Sequence, residues 1–401
     1  MKVEVREREL SVAGFRFGAT TCGIKESGAP DCGVIVADGP ATAAAVFTRN
    51  RFAAAPVVIG RERLRRGQLQ ALVVNSGNAN ACTGAAGLAA ARTVCQTAAD
   101  ALAIPAELVA PASTGIIGVE LPVEKLAPGV RRAIADASED GLWRFARAIM
   151  TTDAFPKVAS ETVSLGRSRV TIAAVGKGAG MMAPDMATLL VFIVSDAVVS
   201  APHARGLLRA ACAESFNALS VDGDTSTNDS VFLLASGRAG NRPPAAGSSA
   251  LRALTKAATS VAQEIARLVV ADGEGASKVV KIEVRGARND LEARRVAATV
   301  ARSLLVKAAF HGEDPNWGRI ACAMGYCGVA VRPERVTIRI GGVEVFREGR
   351  GLAGAQAAAR AAMQPSEFDV GIKLGSGRGR ATFLTSDLSH EYVELNSAYS
   401  T

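Results

Sequence analysis

Short apolar runs broken by Gly, Pro, Asn and Asp fill the first third of the chain. Residues 33–37 (GVIVA), 43–47 and 71–74 are each the length of a short strand and carry turn formers on their flanks, so strands are expected there. Residues 75–84 (NSGNANACTG) read as a polar turn. Apolar positions then recur at helical spacing over 85–102, with Pro105 as a stop. A further helical stretch covers 130–148, interrupted at Gly141. Two β-type runs, 170–175 and 188–194, bracket the segment 176–187. Helical spacing returns at 203–219, 250–270 and 291–309, strands are expected at 278–284, 329–340 and 369–374, and an Ala-rich helix at 352–363. Residues 238–249 (RAGNRPPAAGSS) form a surface loop. Strands and helices come in clusters rather than in regular alternation. The expected fold class is therefore α/β in the layered α+β sense, a sandwich of sheets and helical layers.

Composition narrows the classes of function. A chain of 401 residues has room for roughly two to three domains. With 49% hydrophobic and 21% charged residues it is an ordinary globular chain. Aromatics at 4% are too sparse for a platform that stacks single-stranded nucleic acid. The net charge of +8 invites a nucleic-acid partner, but the cations are dispersed. The one dense run, 61–66 (RERLRR), contains a Glu and reads as a solvated helix face. A basic surface also draws small carboxylates, so small molecules are expected as partners and nucleic acid is not. No apolar run approaches the ~18 residues of a membrane span, and MKVEVRERELSV lacks the apolar core of a signal peptide. The expected compartment is the cytoplasm. Seven cysteines without a CxxC spacing agree, as reduced and mostly buried thiols.

The segment with candidate chemistry is KGAGMMAPDMAT (177–188), followed at once by LLVFIVSDA. Gly178 and Gly180 admit backbone conformations closed to other residues, and Pro184 fixes a bend. A threonine between such a turn and a buried strand is placed for self-cleavage. Its hydroxyl attacks the preceding carbonyl, the acyl group shifts from nitrogen to oxygen, and water releases a new N-terminus at Thr188, cutting Ala187–Thr188. The freed α-amine, with an ordinary pKa of about 7.7–8.0, can act as base for its own hydroxyl. None of the three histidines is then needed. By itself an Ala-Thr pair ahead of an apolar run is usually plain strand. The GxxxxGK[ST] spacing of a phosphate loop is absent. Asp222, Asp224 and Asp229 in DGDTSTND lack calcium-loop spacing and read as turns and supports, so no metal is expected. His311 reads as a packing or hydrogen-bonding residue.

Eight blocks carry a resemblance. NSGNANACTG (75–84), STGIIG (113–118), MTTD (150–153), KGAGMMAPDMATLLVFIVSDA (177–197), DGDTSTND (222–229), DGEGASK (272–278), HGEDPNWGRI (311–320) and ELNSAYST (394–401) resemble, in the same order, blocks of the ornithine acetyltransferase family. That family, also called bifunctional glutamate N-acetyltransferase/amino-acid acetyltransferase, belongs to arginine biosynthesis. Ala179, Asp185 and Ala154 stand where the family has Ser, Asn and Thr. The resemblance implies an N-terminal-nucleophile-type sandwich cut into chains 1–187 and 188–401, associated as (αβ)₂ or larger. It implies acetyl transfer from N-acetylornithine to glutamate by a ping-pong route, with Thr188 as nucleophile and Thr114 and Gly115 as the oxyanion hole. The implied substrate contacts are Thr151 or Thr152, Lys177, Thr188, Glu274, Asn396 and Thr401. Lys177 would pair with a carboxylate and Glu274 with the ornithine amine. No cofactor is implied, and acetyl-CoA is left open as a second donor. The rival readings are an N-terminal-nucleophile aminopeptidase or amidase, which would pass the acyl group to water, and a basic binding protein without catalysis.

Overall fold

Residues 7–181 and 189–398 are described by a computed structural model, and they form two sheets. The strands are β1 (Phe15–Thr20), β2 (Cys32–Phe47), β3 (Gln68–Asn78), β4 (Val109–Ile116), β5 (Lys157–Leu165), β6 (Ser168–Lys177), β7 (Leu190–Ser195), β8 (Leu219–Ser220), β9 (Ser230–Ala235), β10 (Val279–Ala287), β11 (Thr337–Ile340), β12 (Val343–Arg347), β13 (Arg350–Gly351), β14 (Glu367–Lys373) and β15 (Gly379–Ser386). The first sheet runs β4-β3-β2-β9-β7-β6-β5, with β1 paired to β2. The second runs β13-β12-β11-β14-β10-β15-β8.

Strand β2 divides the first sheet. Its first half pairs with β1 and β3, and its last six residues pair with β9. Alternate residues of β6, β7 and β9 go to different cores. Ile172, Val191, Ile193, Val231 and Leu233 pack under helices Ala201–Ala213 and Ser249–Ala271. Ala173, Val175, Phe192 and Phe232 pack with Phe15, Phe17, Ile35, Leu72 and Phe145. On the far side, Cys32, Val34, Val36, Ala71 and Val73 meet helices Gly84–Leu102 and Val123–Ala135. The two-residue period of a strand thus places apolar side chains on both faces, and the result is a helix–sheet–sheet–helix stack. An aromatic chain, Phe17–Phe145–Phe192–Phe232, runs through its middle. The second sheet buries Val280, Ile282 and Val284 of β10 against helices Asp290–Arg302 and Trp317–Gly325, while on its other face Lys281 pairs with both Glu283 and Asp369.

Several expected elements differ in extent. The runs 33–37 and 43–47 are one strand, because a register irregularity between Val36 and Ala41 absorbs Asp38, Gly39 and Pro40. The polar turn at 75–84 begins late, since β3 continues through Asn78, whose side chain and that of Asn75 are hydrogen-bonded in the interior. The 130–148 stretch is two helices, Val123–Ala135 and Leu142–Ala148. The 203–219 stretch ends as helix at Ala213, and Leu219 is already strand. The 291–309 stretch breaks at Ser303, whose hydroxyl caps the following helix through the Val306 N–H. Of 329–340 only Thr337–Ile340 is strand, because Pro333 opens a 3₁₀ turn. The 352–363 helix starts at Gln356, beyond Gly354 at φ 83°. Strands β1, β4, β5, β8, β9, β12, β13 and β15 had no expected counterpart. All seven cysteines are unbridged; burial pushes the thiols of Cys95 and Cys212 up to about 12, while Cys82 and Cys322 are exposed.

Candidate active site

The ends of strands β4 and β6, the segments that connect neighbouring elements and helix His390–Ala398 converge on one cavity of about 310 Å³. Its first wall is the end of the parallel pair β3–β4, where Ser76 faces Thr114 and Gly77 faces Gly115. Gly115 sits at φ 134°, and a Cβ there would lie 2.3 Å from the Gly77 carbonyl carbon and 2.4 Å from the Asn78 nitrogen. Only glycine lets the two strands approach so closely. Gly115→Ala should therefore separate the strand ends, and if this wall holds the reacting carbonyl it should lower kcat at least about 10²-fold; steady-state assay of the purified variant checks this. Asn228 ties the wall to the loop 222–229, donating to Ala79 O at 2.6 Å and Ser113 O at 2.8 Å.

The second wall is built on a buried run of alternating charge. Lys157, fully buried, donates to Asp153 at 2.7 Å and to Asp272 at 2.6 Å. Lys177, at the end of β6, lies 3.8 Å from Asp153. Burial alone would raise the Asp153 carboxyl, but the ammonium groups of Lys157 and Lys177 outweigh it and hold the group well below the usual carboxylate range. Burial likewise lowers Lys177, against the pull of Asp153, and raises Asp272 against that of Lys157. Asp153 also accepts from the N–H groups of Thr151 (2.9 Å) and Gly178 (2.7 Å), fixing the backbone beside both. The Lys177 ammonium donates to Thr151 Oγ1 at 2.6 Å and to Thr114 Oγ1 at 3.3 Å.

Glu274 supplies the acidic side. It follows the long helix Ser249–Ala271, and its N–H is held by Ala179 O at 3.0 Å. Its carboxylate accepts from Thr152 Oγ1 at 2.8 Å and from Asn396 Nδ2 at 2.9 Å, on helix His390–Ala398. A Cβ on Gly180 would come within 2.5 Å of that carboxylate, so glycine here lets the chain cross over it. Asp222 and Asp224 line the same cavity, as does Tyr392, whose phenol is pushed up to about 12 by burial and by Asp222, Asp224 and Glu274. A second cavity of about 280 Å³ meets the first at Thr152, Glu274 and Asn396. The surface is basic, yet Lys177 is the one cation lining the main cavity among the described residues, against three carboxylates. Those residues contain no group of His, Cys, Asp and Glu able to hold a metal.

The structure thus brings together Thr114, Gly115, Thr151, Thr152, Lys177, Glu274 and Asn396. Ala187, Thr188 and Thr401 lie outside the described residues. Leu189, covalently next to Thr188, is described and buried; its N–H donates to Asp229 Oδ1 at 3.0 Å. Burial pushes the Asp229 carboxyl well above the ordinary range, although that N–H opposes the shift. Sequence reasoning passed over Asp153, Lys157, Asp272, Asn228 and Tyr392. All but Lys157 and Tyr392 stand inside blocks already singled out, so position within those blocks was the available signal. His311 is a hydrogen-bonding residue, its Nδ1 2.8 Å from Asp387 Oδ2.

Hydroxyl donors and a close-packed glycine on one side, with carboxylates on the other, suit a substrate that offers both a carbonyl and a positive charge. The class this fold and cavity define is an amino-acid acyltransferase. The chain belongs to the ArgJ family, whose model matches residues 16–401. It is 44% identical over 394 residues to the arginine biosynthesis bifunctional protein ArgJ of Geobacter sulfurreducens, covering 98% of this chain and 100% of that protein. Among solved structures it resembles the ArgJ protein of Bacillus halodurans at 37% identity and TM-score 0.51, over 52% of this chain and 98% of that one. The ornithine acetyltransferase of Mycobacterium tuberculosis, solved with ornithine, aligns at 37% identity and TM-score 0.38, over 44% of this chain and 93% of that one. Acetyl transfer in arginine biosynthesis is the activity of this chain. No helix among the described residues is long and apolar enough to cross a membrane.

Proposed function

We propose that the acetyl group passes from N-acetylornithine to glutamate through an ester on Thr188, which the chain makes N-terminal by cutting Ala187–Thr188. The observation that carries this reading is the convergence of Thr114, Gly115, Thr151, Thr152, Lys177, Glu274 and Asn396 on one cavity. Asn228 lines that cavity, and the next residue, Asp229, holds the amide that joins Thr188 to Leu189.

The Thr188 hydroxyl attacks the acetyl carbonyl while its α-amine takes the hydroxyl proton. The oxyanion is held by the Thr114 hydroxyl and the Gly115 N–H. The carbon–nitrogen bond breaks, the departing ornithine amine receives the proton, and the acetyl ester remains. The amine of glutamate attacks that ester and restores the threonine. The carboxylates of Glu274, Asp222 and Asp224 favour the side-chain ammonium of ornithine, and Lys177 and Asn396 complete the contacts with Thr401. No cofactor enters the scheme. Acetyl-CoA as a second donor would add release of CoA in the presence of glutamate.

Scission at Thr188 yields chains 1–187 and 188–401, and the pairing of strands favours their staying together. Strand β6 of the first pairs with β7 of the second over six positions, and β2 with β9 over six more. The Bacillus halodurans chain, matched over 98% of its length by 52% of this one, is of a size that fits one such product. Association of the paired chains as (αβ)₂ or larger completes the proposal. The unbridged thiols fit the cytoplasm.

Radioactive N-acetylornithine, labelled in the acetyl group, tests the ester. A denaturing gel should resolve two fragments with the label on the one beginning at Thr188, discharged by added glutamate. An unlabelled fragment would sink the proposal. Discharge to water at the same rate with and without glutamate would favour the amidase reading instead.

A further inference from the structure

Two hydroxyl oxygens sit on one buried ammonium. Lys177 Nζ is 2.6 Å from Thr151 Oγ1 and 3.3 Å from Thr114 Oγ1, and the lysine is 4% exposed. An ammonium has donors and no acceptor, so both threonine oxygens must accept from it. Each hydroxyl hydrogen is then turned away from Lys177. Among the described residues no acceptor takes either hydrogen, and both side chains line the cavity. A hydroxyl that accepts from a cation in a buried site is also a stronger donor, because the bonds polarise one another. Thr152 differs. Its hydrogen is donated to Glu274 Oε1 at 2.8 Å, so its role is to hold that carboxylate in place.

The frame around Thr151 is rigid in the way a preorganised donor requires. Asp153 accepts the Thr151 N–H through Oδ2 and the Gly178 N–H through Oδ1, and Lys157 anchors Asp153 in turn. The backbone beside Thr151 and the residue after Lys177 therefore hang from one carboxylate.

We propose that Thr151 is a catalytic residue, a second hydroxyl donor to the oxyanion served by Thr114, and that Lys177 is the positioning residue that aims both. This rests on the acetyl-ester reading above. Thr151 gives a hydrogen bond and no proton, so the balance of the reaction is unchanged. It is a contact made to the tetrahedral oxygen rather than to the ground-state substrate, and removing it should act on rate rather than on affinity.

The test uses the full, self-cleaved enzyme, with rates normalised to the cleaved fraction on a denaturing gel. Single-turnover transfer of label from N-acetylornithine to the fragment beginning at Thr188 is followed by rapid quench. Thr151→Val should slow it about 10²-fold, with the dissociation constant for ornithine, which has no acetyl carbonyl, unchanged. Thr151→Ser, which restores the hydroxyl, should recover most of the rate and covers the case in which the valine variant folds poorly. Thr152→Val should mainly weaken ornithine binding. A Thr151→Val enzyme that acetylates at the wild-type rate, or one that loses only ornithine affinity, overturns the inference. Failure of the wild-type enzyme to take label on the Thr188 fragment instead overturns the acetyl-ester reading, so the two failures are distinguishable.

Discussion

Thr188→Ala is expected to leave the chain uncut and to lower acetyl transfer by about four orders of magnitude or more, the scale seen when a nucleophile is removed from a covalent catalyst. Both losses have one cause. In the proposed scheme the hydroxyl is the attacking group in the shift that frees residue 188 and again in the formation of the acetyl ester, and an uncut chain has no α-amine to serve as base. Thr188→Ser keeps the hydroxyl and should cut and transfer, more slowly. A denaturing gel and a transfer assay on the same preparations read both effects. A Thr188→Ala chain that still splits at this bond would remove self-scission by Thr188 from the scheme.

The same reading sets a pH profile. No histidine lines the cavity among the described residues. With the α-amine as base, the rate should rise with pH as that amine loses its proton, through about 7.7–8.0, and level off above it. An acid limb centred near the ordinary histidine value of about 6.5 would point to a different base.

Lys157→Met is expected to have the largest effect on stability. Lys157 is wholly buried between Asp153 and Asp272, and its loss leaves Asp272 with the Ala154 N–H alone and Asp153 with the Thr151 and Gly178 N–H groups and Lys177 at 3.8 Å. Breaking a buried ion pair from one side typically costs about 3–5 kcal/mol, read as a lower urea midpoint at unchanged slope. Asp272→Leu added to Lys157→Met should recover part of the loss, because it removes one orphaned charge. The effect of pH follows from the sign of the Asp153 shift. Its folded pKa is depressed, so its contribution is present above the unfolded value of about 3.9 and fades as pH falls through the folded value. Asp272, shifted upward by burial, works in the opposite sense. The gap between wild type and Lys157→Met should therefore narrow on acidification, first above about pH 4 as the stranded carboxylates, raised by burial, are protonated, and further below it as the depressed Asp153 of the wild type loses its contribution. A gap that stays constant from neutral pH to pH 3 would mean that packing, and not charge, accounts for the role of Lys157.

Much of this architecture was legible in the chain. The helix over 250–270 follows the apolar spacing closely, because one long amphipathic stripe packs against one sheet face. The strand at β10 was visible for the same reason, its alternation of Val and Ile with charged residues recording one wet and one dry face. Strand β4 was hidden. Its VAPASTGI carries a proline, a glycine and small polar residues that locally favour a turn, and only the ladder to β3 makes it a strand. The helix–strand change at residues 213–219 was equally unreadable, since the apolar residues there serve two different neighbours.

For the site, the resemblance of eight ordered blocks to one family named Thr114, Gly115, Lys177, Glu274 and Asn396, which the fold brings to one cavity, and Thr188, which lies outside the described residues; the residue types alone read as turns, caps and plain strand. The sequence could not rank Thr151 against Thr152. Adjacent on the chain and identical in composition, they part only in the fold, where one hydroxyl accepts from Lys177 and the other donates to Glu274. Nor could it show that Lys157 binds Asp272, or that Lys177 reaches Thr114 across 63 positions. A hydrophobic period is a local property that the sequence displays directly. A hydrogen bond depends on direction and on contact near 3 Å, and such contacts between distant segments exist only once two sheets and their helices have been packed together.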